Sequence, residues 1–160
     1  MDPYSWHCQH GNSRWDILSV ARFCYAHKES DSLNWVKNDK NRPIFKLDNL
    51  APANNIEHSN AHDAMADVRA TIGIASIIKN TQPKFFEYAL SLRNKKEVEN
   101  LINLFYPMLL TNSSFGYKSS FTRLVTAICY HPDYSDRAIV FNLNQDTEIL
   151  LEIATEELKN

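Results

Sequence analysis

A histidine and an aspartate stand five residues apart in Asn60-Ala61-His62-Asp63-Ala64-Met65-Ala66-Asp67, directly ahead of the stretch Val68-Arg69-Ala70-Thr71-Ile72. An imidazole exchanges protons near neutral pH, and an ionised carboxylate offers hard oxygen atoms to protons or cations. Together they have the makings of half a catalytic site. Five residues carry an ideal helix roughly 140° past one full turn, so both side chains reach one site most easily when His62 sits in an entry loop and Asp67 in the second helical turn. The bland alternative is a polar His62 ahead of a helix whose Asp67 carboxylate is merely solvated, and the short pattern by itself leaves both open. Asp63 suits the helix N-terminus, where negative charge is favourable.

Two other constellations compete for chemistry. His7-Cys8-Gln9-His10 could contribute zinc ligands, but a closed structural site needs four and no second cluster of suitable spacing follows. His58, His62-Asp63 and Asp67 could also be arranged as in HD-type metal phosphohydrolases, an all-helical fold. That arrangement needs an upstream helical histidine, for which only His7, His10 and His27 are available.

The elements that must position these residues follow from periodicity. Residues 13 to 27 carry apolar side chains at 17, 18, 21, 24 and 25, the spacing of an amphipathic helix; Trp15, beside its start, is expected in the core. Residues 30 to 42 are polar and end before Pro43, as in a surface loop. Phe45-Lys46-Leu47-Asp48-Asn49-Leu50 reads as a short helix with two inward leucines, ended by Pro52 and Asn54-Asn55. The next helix runs from Asn60 or Asp63 to Lys79, with Met65, Val68, Ile72 and Ala75 expected on the buried stripe and Ile74, Ile77 and Ile78 broadening it. Thr81-Gln82-Pro83 breaks the pattern before a helical stretch from Lys84 to about Leu104. After Pro107 the texture becomes β-prone: residues 124 to 130 and 138 to 143 flank a Pro/Asp/Ser turn and predict a hairpin.

His-x-Ala-x-x-Asp at residues 62 to 67 is the closing motif of the DEDDh group of 3′ to 5′ exonucleases. Through Tyr4-Ser5-Trp6, Ser13-Arg14-Trp15-Asp16, Asn54-Asn55-Ile56-Glu57-His58-Ser59-Asn60 and Gln82-Pro83-Lys84-Phe85-Phe86-Glu87-Tyr88, the chain resembles bacterial exodeoxyribonuclease I. The resemblance implies an α/β fold: the C-terminal portion of an RNase H-like exonuclease domain over residues 1 to 82, then the first part of an SH3-like β domain over residues 83 to 160. It implies removal of mononucleotides from the 3′ end of single-stranded DNA in repair and recombination, with two Mg²⁺ ions held by several carboxylates. By motif, Asp67 becomes the last metal-binding carboxylate and His62 the general base for the attacking water. Lys46, Arg22 and Lys95 fall at DNA-contacting places, and Tyr4 and Trp6 become candidates for stacking on unpaired bases. The implied partners are single-stranded DNA and the single-stranded DNA-binding protein, with the intact family monomeric.

The departures matter equally. The acidic residues before His62 are Asp2, Asp16, Glu29, Asp31, Asp39, Asp48 and Glu57, and none forms the Asp-x-Glu pair that the family carries on its first strand. Cys8 replaces an expected aromatic. The chain therefore reads as truncated at both ends and inactive alone; the alternative is a non-enzymatic remnant or binding segment that needs a separate N-terminal piece.

Composition bounds these readings without choosing among them. With 160 residues, 44% hydrophobic and 22% charged, the chain is ordinary for a globular protein. A formal net charge of −2 excludes a strongly basic nucleic-acid binder judged by bulk charge, although a local groove needs only local Lys and Arg. Three cysteines without a CxxC fit reduced thiols. Neither a basic and apolar leader nor a run of 18 apolar residues occurs, so the expected setting is the cytoplasm, away from membranes.

Overall fold

The computed structural model describes residues 12–27, 32–58, 63–134 and 136–145. Five helices, α1 (Ile17–Ala26), α2 (Leu47–Ala53), α3 (Ala64–Thr81), α4 (Pro83–Ser91) and α5 (Lys95–Leu101), precede strands β1 (Pro107–Thr111), β2 (Thr122–Tyr130) and β3 (Ala138–Asn142). The strands form one sheet in the order β1-β2-β3. Packing divides the chain into two units, residues 1–102 with 111–122, and residues 103–110 with 123–160. Residues 83–102 therefore pack with the preceding helices rather than with the strands that follow.

The first unit is helical. Asp16 starts α1 by accepting hydrogen bonds from the amides of Leu18 at 3.0 Å and Ser19 at 3.3 Å, a side-chain cap for donors that have no partner in the helix. Its core gathers Val20, Leu33, Leu50, Ile74, Ile78 and Ala89, with Trp15, Phe85 and Phe86 among the half-buried side chains around it. Trp15 meets Phe86 edge-on at 5.3 Å and donates its indole N–H to the carbonyl of Ala89 at 3.0 Å, so its polar tip is satisfied while its body packs, as expected of a core tryptophan. The segment expected as a plain surface loop carries Ser32 and Leu33 inward, both buried, and folds on itself through an isolated bridge between Lys37 and Pro43.

Helix α3 corrects one expectation. Ala70, Ile74 and Ile78 form its buried side, while Met65, Val68 and Ile72 are 55%, 50% and 59% exposed. The sides that α1, α2 and α4 cover decide this, and small residues make the approach close: a Cβ added at Gly73 would lie 2.9 Å from the Ile56 Cδ1. The single helix expected from Lys84 to Leu104 is two. Pro83 opens α4 at a position where a missing N–H costs nothing, and Asn94 restarts the chain as the cap of α5 by accepting from the amide of Lys96 at 3.0 Å.

In the second unit the expected hairpin is present. Strands β2 and β3 pair antiparallel, with Val125 opposite Asn142 and Tyr130 opposite Ala138, and the register shifts between Ala127 and Cys129. The His131 amide donates to the Arg137 carbonyl at 2.9 Å across the turn. Val125 and Ala127 are the buried residues of β2.

Candidate active site

Asp67 comes from the start of α3. Asp63 caps this helix, its carboxylate accepting from the Met65 amide at 3.2 Å, and its carbonyl accepts the Asp67 amide at 3.0 Å. Asp67 thus lies at the end of the first turn, one turn earlier than expected, and its side chain is 50% exposed. A half-exposed carboxylate on a capped helix is fixed at its backbone and still open to a ligand.

The partner that the structure brings to Asp67 is His58. Helix α2 ends at Asn54, whose amide group donates to the carbonyls of Leu50 at 2.8 Å and Asn34 at 3.1 Å while its oxygen accepts from the Asn34 amide at 2.7 Å. Asn55 follows with φ 58°, the left-handed conformation that asparagine tolerates better than most residues. Burial then alternates, with Ile56 and His58 on the inward side and Glu57 outward. Ile56 seats against Gly73. His58, two residues on, has a side chain only 1% exposed, and its Nε2 lies 3.0 Å from Asp48 Oδ1 and 3.4 Å from Asp67 Oδ1. Asp48 belongs to the first turn of α2 and is 56% exposed. One buried ring nitrogen therefore stands between two carboxylates from different helices.

Of the other site residues expected from sequence, Lys46 is the exposed residue immediately before α2, its carbonyl accepting from the amides of Asn49 and Leu50. Arg22 lies half-buried on α1 with its guanidinium 5.8 Å from the centre of the Phe45 ring, which brings it beside the residue preceding Lys46. The same ring meets Trp35, Tyr25 and Phe121 at 5.9, 5.7 and 5.3 Å. Lys95 stands elsewhere, exposed at the start of α5, a helix without buried residues. His62, Tyr4 and Trp6 lie outside the described residues, as does His7-Cys8-Gln9-His10.

Among the described residues no group of three or more His, Cys, Asp or Glu side chains could hold a metal ion. Asp67 is one oxygen donor of the kind that Mg²⁺ takes, but the Asp48, His58 and Asp67 trio is organised around a nitrogen that faces both acids. These residues do not by themselves make a metal centre. No helix among the described residues is long and apolar enough to cross a membrane.

Sequence reasoning gave His58 a place only in the HD-type alternative and gave Asp48 none. The signal was present in the alternation of Ile56, Glu57 and His58 after an Asn-Asn turn, which turns the histidine inward. The three-stranded sheet does not fit the all-helical fold of that alternative.

Comparison with known proteins bears out the resemblance to bacterial exodeoxyribonuclease I. Residues 93–160 match the family model of the exonuclease I SH3-like domain. Exodeoxyribonuclease I of Escherichia coli K12 is 42% identical over 160 residues, covering 99% of this chain and 34% of that protein. The chain thus spans about a third of the length of the curated relatives it matches. The crystal structure of Escherichia coli exonuclease I in complex with a dA16 oligonucleotide superposes with a TM-score of 0.89 at 44% identity, covering 94% of this chain and 32% of that one. A structure described as the ExoI/SSB-Ct complex superposes with a TM-score of 0.86 at 42% identity, again over 94% of this chain and 32% of the other.

Proposed function

We propose that this chain supplies part of a 3′ to 5′ exodeoxyribonuclease site acting on single-stranded DNA, with His62 as general base and Asp67 as one carboxylate toward a divalent cation, Mg²⁺. The observation that carries this reading is similarity to exodeoxyribonuclease I over 99% of the chain, at 42% identity. Asp67, capped in place and half-exposed, is compatible with it. An imidazole near its ordinary pKa of about 6.5 suits proton abstraction from water at neutral pH. A complete site needs further carboxylates contributed by residues beyond those described.

By the same reading, Lys46, Arg22 and Lys95 hold phosphates without reading sequence, and Tyr4 and Trp6 stack on bases. The partners are single-stranded DNA and the C-terminal segment of the single-stranded DNA-binding protein, in the cytoplasm, with the intact family monomeric. The boundary between the two sequence regions is proposed at residues 82 and 83, a division that differs from the packing, in which residues 83–102 stay with the preceding helices.

Alone with Mg²⁺, the chain should leave a 3′-labelled single-stranded oligonucleotide intact. Mixed with a polypeptide corresponding to the part of Escherichia coli exodeoxyribonuclease I that precedes the matched region, it should digest that oligonucleotide from the 3′ end. Robust digestion by the chain alone, abolished by Asp67→Ala, would show that its own carboxylates complete the site. No digestion by a mixture shown to associate would count against the nuclease reading.

A further inference from the structure

The Asp48, His58 and Asp67 contact carries an inference about how the acid is held. Ionised carboxylates only accept hydrogen bonds, so a ring nitrogen 3.0 Å from one carboxylate oxygen and 3.4 Å from another is placed to carry a proton, while the ring's buried Nδ1 has no hydrogen-bond partner among the described residues. His58 is nearly fully buried, whereas both acids are about half-exposed. The ring is therefore the fixed member of the trio and the acids are the ones that would otherwise rotate. The shorter contact is a hydrogen bond and the longer one an electrostatic attraction, so the proton is shared unequally in favour of Asp48.

We propose that His58 is a positioning residue: its buried Nε2–H, hydrogen-bonded to Asp48 and close enough to attract Asp67, ties the first turns of α2 and α3 together and restrains the Asp67 carboxylate. This rests on the reading of Asp67 as a ligand-binding acid for its purpose, though the bridge itself does not. Histidines that orient carboxylates, and carboxylates that orient histidines, exploit the fixed direction of a ring N–H. Here that direction is set by burial, with Ile56 two residues earlier packed against Gly73. Such a bridge removes rotamers from a short acidic side chain before any ligand arrives. It also makes the angle between α2 and α3 part of the geometry of the site.

Nuclear magnetic resonance on the full ¹⁵N,¹³C-labelled chain tests this, through long-range proton–nitrogen correlations of the His58 ring and the carboxyl carbon shift of Asp67. The expected spectrum shows His58 protonated at Nε2. His58→Phe, which keeps a buried ring but no donor, should move the Asp67 carboxyl resonance, and His58→Gln, whose amide nitrogen can occupy a similar place, should restore it. A ring protonated only at Nδ1, or an Asp67 resonance indifferent to His58→Phe in a folded variant, overturns the proposal. Should His58→Phe not fold, Asp67→Asn gives the reciprocal reading: the His58 ring resonances must shift, and unchanged ones overturn the bridge. Failure of the nuclease reading looks different, because Asp67→Ala without effect on the reconstituted digestion would leave these spectra as they are.

Discussion

Asn54 shows how much of this site hangs on single polar side chains. Its one amide group makes three hydrogen bonds, to the carbonyls of Leu50 and Asn34 and from the Asn34 amide, at a residue that is only 9% exposed. Removing it leaves buried groups without partners, which costs more than the net value of each bond. Asn54→Ala should therefore destabilise the helical unit by about 2 kcal/mol, read as a lower urea midpoint; a change within about 0.5 kcal/mol, the range of ordinary surface substitutions, would show that the chain end of α2 is held by packing instead. At the acid itself the expectation concerns rate. In a reconstituted digestion, His62→Ala should slow cleavage by about 10²-fold or more, the usual scale for general acid–base catalysis, and an unchanged rate would remove His62 as the base. Asp67 was readable from its motif and its place at a helix mouth. His58 was not, because its two acids come from residues ten positions before and nine after it, and only the docking of α2 on α3 makes them neighbours.

The elements were more legible than their faces. Apolar spacing located α1, α2 and α3 and both strands of the hairpin, since period and length report a helix or a strand directly. It placed Ile74 and Ile78 on the buried side of α3 but extended that side to Met65, Val68 and Ile72, which are exposed. Both the Met65, Val68 and Ile72 side and the Ala70, Ile74 and Ile78 side are apolar at helical spacing, and the second is buried. The packing of α1, α2 and α4 decides it, and Gly73, a poor helix former in the middle of an 18-residue helix, contributes. Its lack of a side chain lets Ile56 approach. Gly73→Ala sets two effects against each other: a gain of up to about 1 kcal/mol in helix propensity and an overpacking cost of about 1 to 3 kcal/mol. The added methyl would meet not one movable tip but Ile56 Cδ1, Cγ1 and Cγ2, at 2.9, 3.1 and 3.1 Å, so rotation about one bond cannot clear it. The variant should be destabilised, and Gly73→Ala combined with Ile56→Ala should cost less than the sum of the two single changes. A more stable Gly73→Ala would mean that the segment carrying His58 shifts freely, and with it the tie between α2 and α3.

For the molecule as a whole, the formal net charge of −2 says nothing about where its cations lie. Lys46 borders the aromatic patch of Phe45, Tyr25, Trp35 and Phe121, and Arg22 lies over the same Phe45 ring, whereas Lys95 sits on a helix with no buried residue. A chain that binds single-stranded DNA through these groups would do so by local charge, and local charge has a measurable signature. Each phosphate neutralised on a single strand releases condensed counterions with a log–log slope of roughly −0.7 per contact. If Lys46 and Lys95 both touch phosphates, fluorescence anisotropy of a labelled oligonucleotide at several salt concentrations should give a slope that is shallower by about 1.4 in the double Lys46→Ala, Lys95→Ala variant. A slope shallower by only half that amount would mean that one of the two lysines touches phosphate in the parent chain, and the single variants would say which. Lys46 follows Phe45, over whose ring Arg22 lies, so Lys46 is the one expected to retain its share. A slope unchanged in the double variant would make both lysines solvated surface charges, and would remove the phosphate contacts from the functional reading while leaving His58, Asp48 and Asp67 where the helices put them.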